Sequence, residues 1–137
     1  YRLTELLAAA DLALQWHTLG SNTQVRNADS FEIAALQKTR LDLPQVPSRY
    51  RSSYFSHIWS GGYAAGYYAY LWTLMLDEDA FSWFTEHGGL TRENGQKFRD
   101  LILSRGNTED LGFMFRNFRG RDPDIRPLME SRGLTSK

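Results

Sequence analysis

Cysteine is absent from the 137 residues, and that absence excludes a disulfide framework, a thiolate metal site and a cysteine nucleophile together. Neither sign of charge is in excess: Lys+Arg and Asp+Glu both number 16, for a formal net charge of zero. The chain therefore has no global field to hold nucleic acid or an anionic membrane. Histidine is scarce. His17, His57 and His87 are the full set and no two stand four residues apart, so a His-Glu-x-x-His metal-binding helix is excluded and no metal ligand is expected here. No apolar run approaches the roughly 18 residues of a membrane span, and no basic segment followed by a short apolar core marks a secretion signal. A soluble, cytoplasmic protein with neither nucleic acid nor membrane as partner is the expectation. Neither Ser nor Lys stands in a nucleophile arrangement. Sustained period-two alternation, internal repeats and low-complexity tracts are missing too, which leaves an all-α class. The length suits one domain spanning 1–137. Its first residue is Tyr1 rather than Met, inside a helical pattern, so a piece of a longer protein is expected.

What is present is a succession of helical patterns. Leu3, Leu6, Leu7, Ala10 and Leu14 recur at helical spacing up to a stop at Gly20. Asp29 or Ser30 can cap a second helix carrying Phe31, Ile33, Ala34 and Leu36 and ending near Thr39. Pro44 and Pro47 make 41–51 an extended connector. A long helix is expected from Gly62 to Glu86, apolar on nearly every side and hence central and deeply buried. Gly88 and Gly89 close it. Thr91 caps a helix with Phe98, Leu101 and Ile102 inside, closed by Gly106. Thr108 starts another, with Glu109 and Asp110 in its first turn, bearing Leu111, Phe115 and Phe118 and stopped by Gly120, and Pro127 sits in the first turn of a last one before Gly133.

The densest chemistry lies in 57–72. Read as a helix, Tyr63, Tyr67 and Tyr70 fall at i, i+4 and i+7 on one face beside Ala64, Ala65, Gly66 and Ala69. His57 precedes the Gly61-Gly62 pair, which can bend the chain back so that the imidazole meets the phenols. Such a group of donors can bind a ligand or stabilise an oxyanion, although tyrosines at this spacing are more often core. His17 reads as a half-buried side chain bonded to a nearby carbonyl, and His87 as a residue favoured by a helix C-terminus. Arg49 and Arg51 can pair a carboxylate, solvated or structural arginines being the commoner case. The run Asp77-Glu78-Asp79 reads as a solvated face.

Three stretches carry a family likeness. They are Arg49-Tyr50-Arg51-Ser52-Ser53-Tyr54-Phe55-Ser56-His57, then 59–72 with its Gly-Gly-Tyr and tyrosine-rich run, then Gly88-Gly89-Leu90-Thr91-Arg92-Glu93-Asn94-Gly95 with Leu103-Ser104-Arg105-Gly106-Asn107. The chain resembles the C-terminal part of the thimet-oligopeptidase (M3) family of zinc metallopeptidases, and within it the peptidyl-dipeptidase branch. The resemblance implies a helical peptidase of two halves around a channel, with zinc as cofactor, peptides as substrates and release of C-terminal dipeptides. It implies that His57 hydrogen-bonds bound peptide, that Tyr63 rides on the Gly61-Gly62 loop as it closes, that Tyr67 adjoins the substrate and that Tyr70 is the catalytic phenol aimed at the oxyanion. The family's zinc ligands lie N-terminal to these residues. The chain alone is thus expected to be inactive, to bind no zinc, and to self-associate through its uncovered aromatic face. An endo-acting oligopeptidase of the same family and a non-catalytic helical peptide-binding module remain the alternatives.

Overall fold

Alanine decides how the first helix packs. In the computed structural model, which describes residues 1–135, α1 (Arg2–His17) buries Ala8, Ala9, Ala10, Leu12 and Ala13. Leu7 and Leu14, expected on the inner face, are exposed instead. Small side chains allow close approach of neighbouring backbone, and here they do so on two sides of one helix. Ala8 and Leu12 meet Ala35 and Leu36 of α2 (Ala28–Lys38). Ala9, Ala10 and Ala13 meet Phe55, Ile58 and Tyr67. The α1 helix ends before Gly20, because the Thr18 hydroxyl and amide both donate to Leu14 O at 2.9 Å. Asn27, rather than Asp29 or Ser30, caps α2 by accepting from the Ser30 amide.

The connector after α2 is fixed by a buried acid. Glu32 is nearly inaccessible, and its Oε2 accepts from the Ser52 amide at 2.7 Å and the Ser52 hydroxyl at 2.9 Å. The Ser52 hydroxyl in turn accepts from Trp16 Nε1 at 2.9 Å, and the Ser52 carbonyl accepts from Trp59 Nε1 at 2.8 Å. Arg51 Nε completes the carboxylate's partners at 2.5 Å. A charge out of water needs such compensation. The consequence is a rigid 3₁₀ turn, Ser52–Tyr54, which delivers the chain into α3 (Ser56–Trp59).

The long helix is shorter than the sequence pattern suggests. Only Ala69–Glu86 forms α4, and 62–68 is a series of turns. Among α4 residues Asp79, Trp83 and Phe84 are buried, whereas Trp72 and Phe81 are each 55% exposed, so the expected all-round burial does not hold. The chain separates into two units, Tyr1–Trp72 and Thr73–Lys137.

In the second unit Trp83, Phe84 and Phe118 form the core, flanked by Phe98, Leu101 and Ile102. Thr91 caps α5 (Arg92–Phe98), which continues as a π-helical turn over Arg99–Leu103. Asp110, rather than Thr108, caps α6 (Leu111–Arg119) by accepting from the Phe113 amide, because the Thr108 hydroxyl is turned back to Arg105 O, and left-handed Gly120 ends the helix. Pro127 opens α7 (Arg126–Ser131). Asp79 is fully buried rather than solvated. Arg121 grips it with Nη2 at 2.6 Å from Oδ1 and Nη1 at 2.8 Å from Oδ2, Arg119 Nε lies at 2.9 Å, and the Asp124 amide donates at 2.8 Å. Burial pushes the Asp79 carboxyl up, but the bonds from Arg121, Arg119 and the Asp124 amide outweigh it and hold it below the usual aspartate value. Among the described residues there is no strand, only an isolated bridge between Leu43 and Val46, and no helix is long and apolar enough to cross a membrane.

Candidate functional site: an imidazole among phenols

The polar cluster forms by turns, not along one helix face. The Tyr63 amide donates back to His57 O at 3.2 Å, so the chain folds over α3 immediately after the glycine pair. Gly61 suits that closeness: a Cβ there would lie 3.1 Å from His57 O and 3.2 Å from His57 Cα, so the backbone would have to give slightly. Gly62 has open space but a φ of +78°, a conformation costly to any residue with a Cβ. Successive turns follow, Gly66 N to Tyr63 O at 2.8 Å and Ala69 N to Gly66 O at 3.0 Å, before α4 begins. Within them Ala65 adopts φ +56°, a left-handed alanine.

These turns bring together all four side chains singled out from the sequence. The His57 ring centroid lies 5.8 Å from Tyr67, 6.2 Å from Tyr63 and 6.5 Å from Tyr70. Tyr63 stacks on Tyr70 at 5.5 Å, and Tyr70 lies 4.8 Å from Tyr67. Tyr67 is buried and belongs to the core against α1, whereas Tyr63 and Tyr70 are 38% and 37% exposed. Tyr67 thus forms the floor, and the other two phenols face outward.

The electrostatics keep two of the phenols protonated. A hydrogen bond with Tyr63, assisted by burial, raises the Tyr70 phenol above the ordinary tyrosine value. Burial raises Tyr67, with Tyr50 adding to it and a hydrogen bond from the Arg49 guanidinium opposing it. His57 Nδ1 is buried and has no hydrogen-bond partner among the described residues. A buried acceptor without a partner is tolerated better than a buried N–H without one. The favoured tautomer therefore carries its proton on Nε2 and presents that nitrogen as a donor. Phenols beside an imidazole N–H make a set of hydrogen-bond donors with no nucleophile.

Two members of the site carried no signal of their own in the sequence. Tyr50 stacks on Phe55 at 4.9 Å and lies 5.3 Å from His57, holding the connector against the cluster. Glu32 fixes the turn that leads into α3. A single acid on a helix looks solvated in sequence, and only the Ser52 and Arg51 contacts distinguish this one. The other two histidines take structural positions: Nδ1 of His17 lies 2.7 Å from Ala13 O, and Nδ1 of His87 lies 2.7 Å from Trp83 O.

The sequence of the chain is shared with known proteins. The profile of peptidase family M3 matches residues 1–134, and the chain belongs to that family. It is 57% identical over 134 residues to the dipeptidyl carboxypeptidase of Escherichia coli, a match covering 98% of this chain and 20% of that protein. The dipeptidyl carboxypeptidase of Salmonella typhimurium is also 57% identical over 98% of the chain. Oligopeptidase A of Escherichia coli is 54% identical over 80 residues, which is 58% of the chain. The chain spans about a fifth of the length of the dipeptidyl carboxypeptidases it matches.

Proposed function

We propose that the chain is the C-terminal helical part of a zinc peptidyl-dipeptidase, supplying donors that bind peptide and stabilise the transition state while dipeptides are released from the substrate's C-terminus. One observation carries this reading: an imidazole with an unpartnered buried nitrogen, surrounded by three phenols. Peptide bonds offer carbonyl oxygens to neutral donors. His57 Nε2–H donates to such an oxygen, and Tyr63 closes over the peptide on the turn that Gly61 and Gly62 permit. Tyr67 supports the pocket from beneath. Tyr70 exchanges its bond with Tyr63 for the oxygen of the bond being hydrolysed, as that oxygen gains negative charge. Preorganised donors of this kind act in proportion to the charge that develops, so they favour the transition state over the bound peptide.

Among the described residues no three His, Cys, Asp or Glu side chains gather to hold a metal ion. This chain does not fit the zinc implied by the resemblance, and the chemistry assigned to its residues runs without it. The metal's ligands would belong to the part of the protein outside the chain, and the chain by itself would be inactive.

The exo-acting reading is favoured over an endo-acting oligopeptidase because similarity to the dipeptidyl carboxypeptidases covers 98% of the chain and that to oligopeptidase A 58%. The test is product analysis with the full-length protein on paired peptides that differ only in a free or amidated C-terminus. Release of the terminal dipeptide from the free acid alone is expected. Equal internal cleavage of both peptides would establish the oligopeptidase instead.

A further inference from the structure

Neutral donors can hold a peptide carbonyl, but they discriminate poorly between a terminal carboxylate and its amide. That distinction calls for a fixed cation, and a guanidinium suits it best because its fork matches a carboxylate in two parallel bonds. The connector entering the site carries two. Arg51 is committed, with Nε at 2.5 Å from the buried Glu32 and Nη2 at 3.1 Å from Asp29. Arg49 is different. Its ion pair is with Glu5 at 3.6 Å, beyond good hydrogen-bond length, and 40% of its side chain remains exposed. Its guanidinium reaches the Tyr67 phenol, whose ring adjoins Tyr70 at 4.8 Å. The next residue, Tyr50, is wedged between Phe55 and His57, so the backbone bearing Arg49 is fixed to the cluster.

We infer that Arg49 is the specificity-determining residue that receives the substrate's terminal carboxylate, an assignment resting on the peptidyl-dipeptidase reading above. Arg49 adjoins Tyr67, the phenol next to Tyr70. An extended dipeptide reaches ~7 Å. With the terminal carboxylate on Arg49 and the reacting carbonyl at Tyr70, the piece released is two residues long. Length selection follows from that spacing. Glu5 acts as the weak counter-ion that the incoming carboxylate displaces, which is easier for a partly exposed pair 3.6 Å apart than for the tight Arg51–Glu32 pair.

The experiment uses the full-length protein with Arg49→Gln and Arg49→Lys, assayed on the same peptide as free acid and as C-terminal amide. For Arg49→Gln the KM for the free acid is expected to rise ~10- to 100-fold, the range for losing a charge-assisted bond. Turnover should stay within about threefold and the amide rate should hold, so the preference for the free acid collapses. Arg49→Lys keeps the charge and loses the fork, and should fall between. A merely structural role would lower both substrates alike, and that result overturns the assignment, as does an intact preference in Arg49→Gln. Should Arg49→Gln fail to fold, a wild-type KM in Arg49→Lys overturns it equally. A wild-type enzyme indifferent to the amide removes the exo-acting reading itself, and the assignment with it.

Discussion

At the scale of single residues, the site depends on hydrogens kept in place and on backbone that allows them to meet. Tyr70 is raised above the usual phenol value by its bond with Tyr63, so it stays a donor across the neutral range. In the full-length protein Tyr70→Phe should reduce kcat by ~10²–10³ with little change in KM, since an oxyanion donor acts mainly in the transition state. A loss under about threefold would remove the role. The two glycines are expected to respond differently. In Gly61→Ala the new methyl meets His57 backbone at 3.1 and 3.2 Å, so the imidazole must move and turnover should fall. Gly62→Ala meets nothing within 4 Å and should cost about 1 kcal/mol in stability through its positive φ. Steady-state kinetics beside thermal melts of both variants checks the contrast. Convergence of His57 with the tyrosines was legible in the sequence because a glycine pair permits a reversal. The tight fit of Gly61 was not, since it depends on which atoms lie across the turn.

At the scale of elements, caps and stops follow local chemistry, whereas burial depends on partners distant in sequence. Thr91, Asp110, Gly120 and Pro127 stand where their side chains or φ values suit a helix end. The segment 62–68 misled because tyrosines and alanines at helical spacing fit a helix, yet Gly61-Gly62 and left-handed Ala65 divert the chain into turns. Asp79 misled for a different reason: its two arginines lie 40 and 42 residues away. That carboxylate joins α4 to the segment following α6, and Arg119 is 92% covered, its side chain being 8% exposed. Asp79→Asn should destabilise this unit by about 3 kcal/mol, the lower end for breaking a buried pair, because Arg119 keeps Glu86. Because the folded Asp79 carboxyl sits below its ordinary value, its contribution is complete above the unfolded value near ~3.9 and is lost as pH falls through the folded one. Hydrogen exchange in the full-length protein should therefore show α6 and 120–125 protected evenly at neutral and mildly acidic pH and opening only below ~4. Early opening near ~6 would contradict the assignment.

At the scale of the molecule, the all-α class and the family were legible, the first from the absence of period-two patterning and the second from the His-to-tyrosine block. What escaped the sequence is how little of the long helix is covered. Trp72 and Phe81 of α4 and Leu103, Leu111 and Phe113 elsewhere remain exposed, and uncovered aromatic surface of this kind tends to find a partner. For the 137-residue chain in isolation, self-association is expected, with a two-fold dimer the commonest arrangement. Sedimentation at roughly 100 μM, well above the micromolar dissociation constants of modest interfaces, is the measurement. A clean monomer would mean that the exposed side chains rearrange to cover one another.

The left-handed alanine at 65 has a further consequence in the unfolded chain. Its conformation is one that alanine seldom visits before folding, at a cost of about 1–2 kcal/mol that glycine would avoid. A glycine there would also widen the denatured ensemble, giving back about 0.4–1 kcal/mol of that relief. Position 65 is thus a place to engineer a more heat-resistant protein without touching any donor. The same exchange would slacken the hairpin of turns between Tyr63 and Tyr67, so gain in endurance and loss of preorganisation can be weighed against each other at a single methyl group.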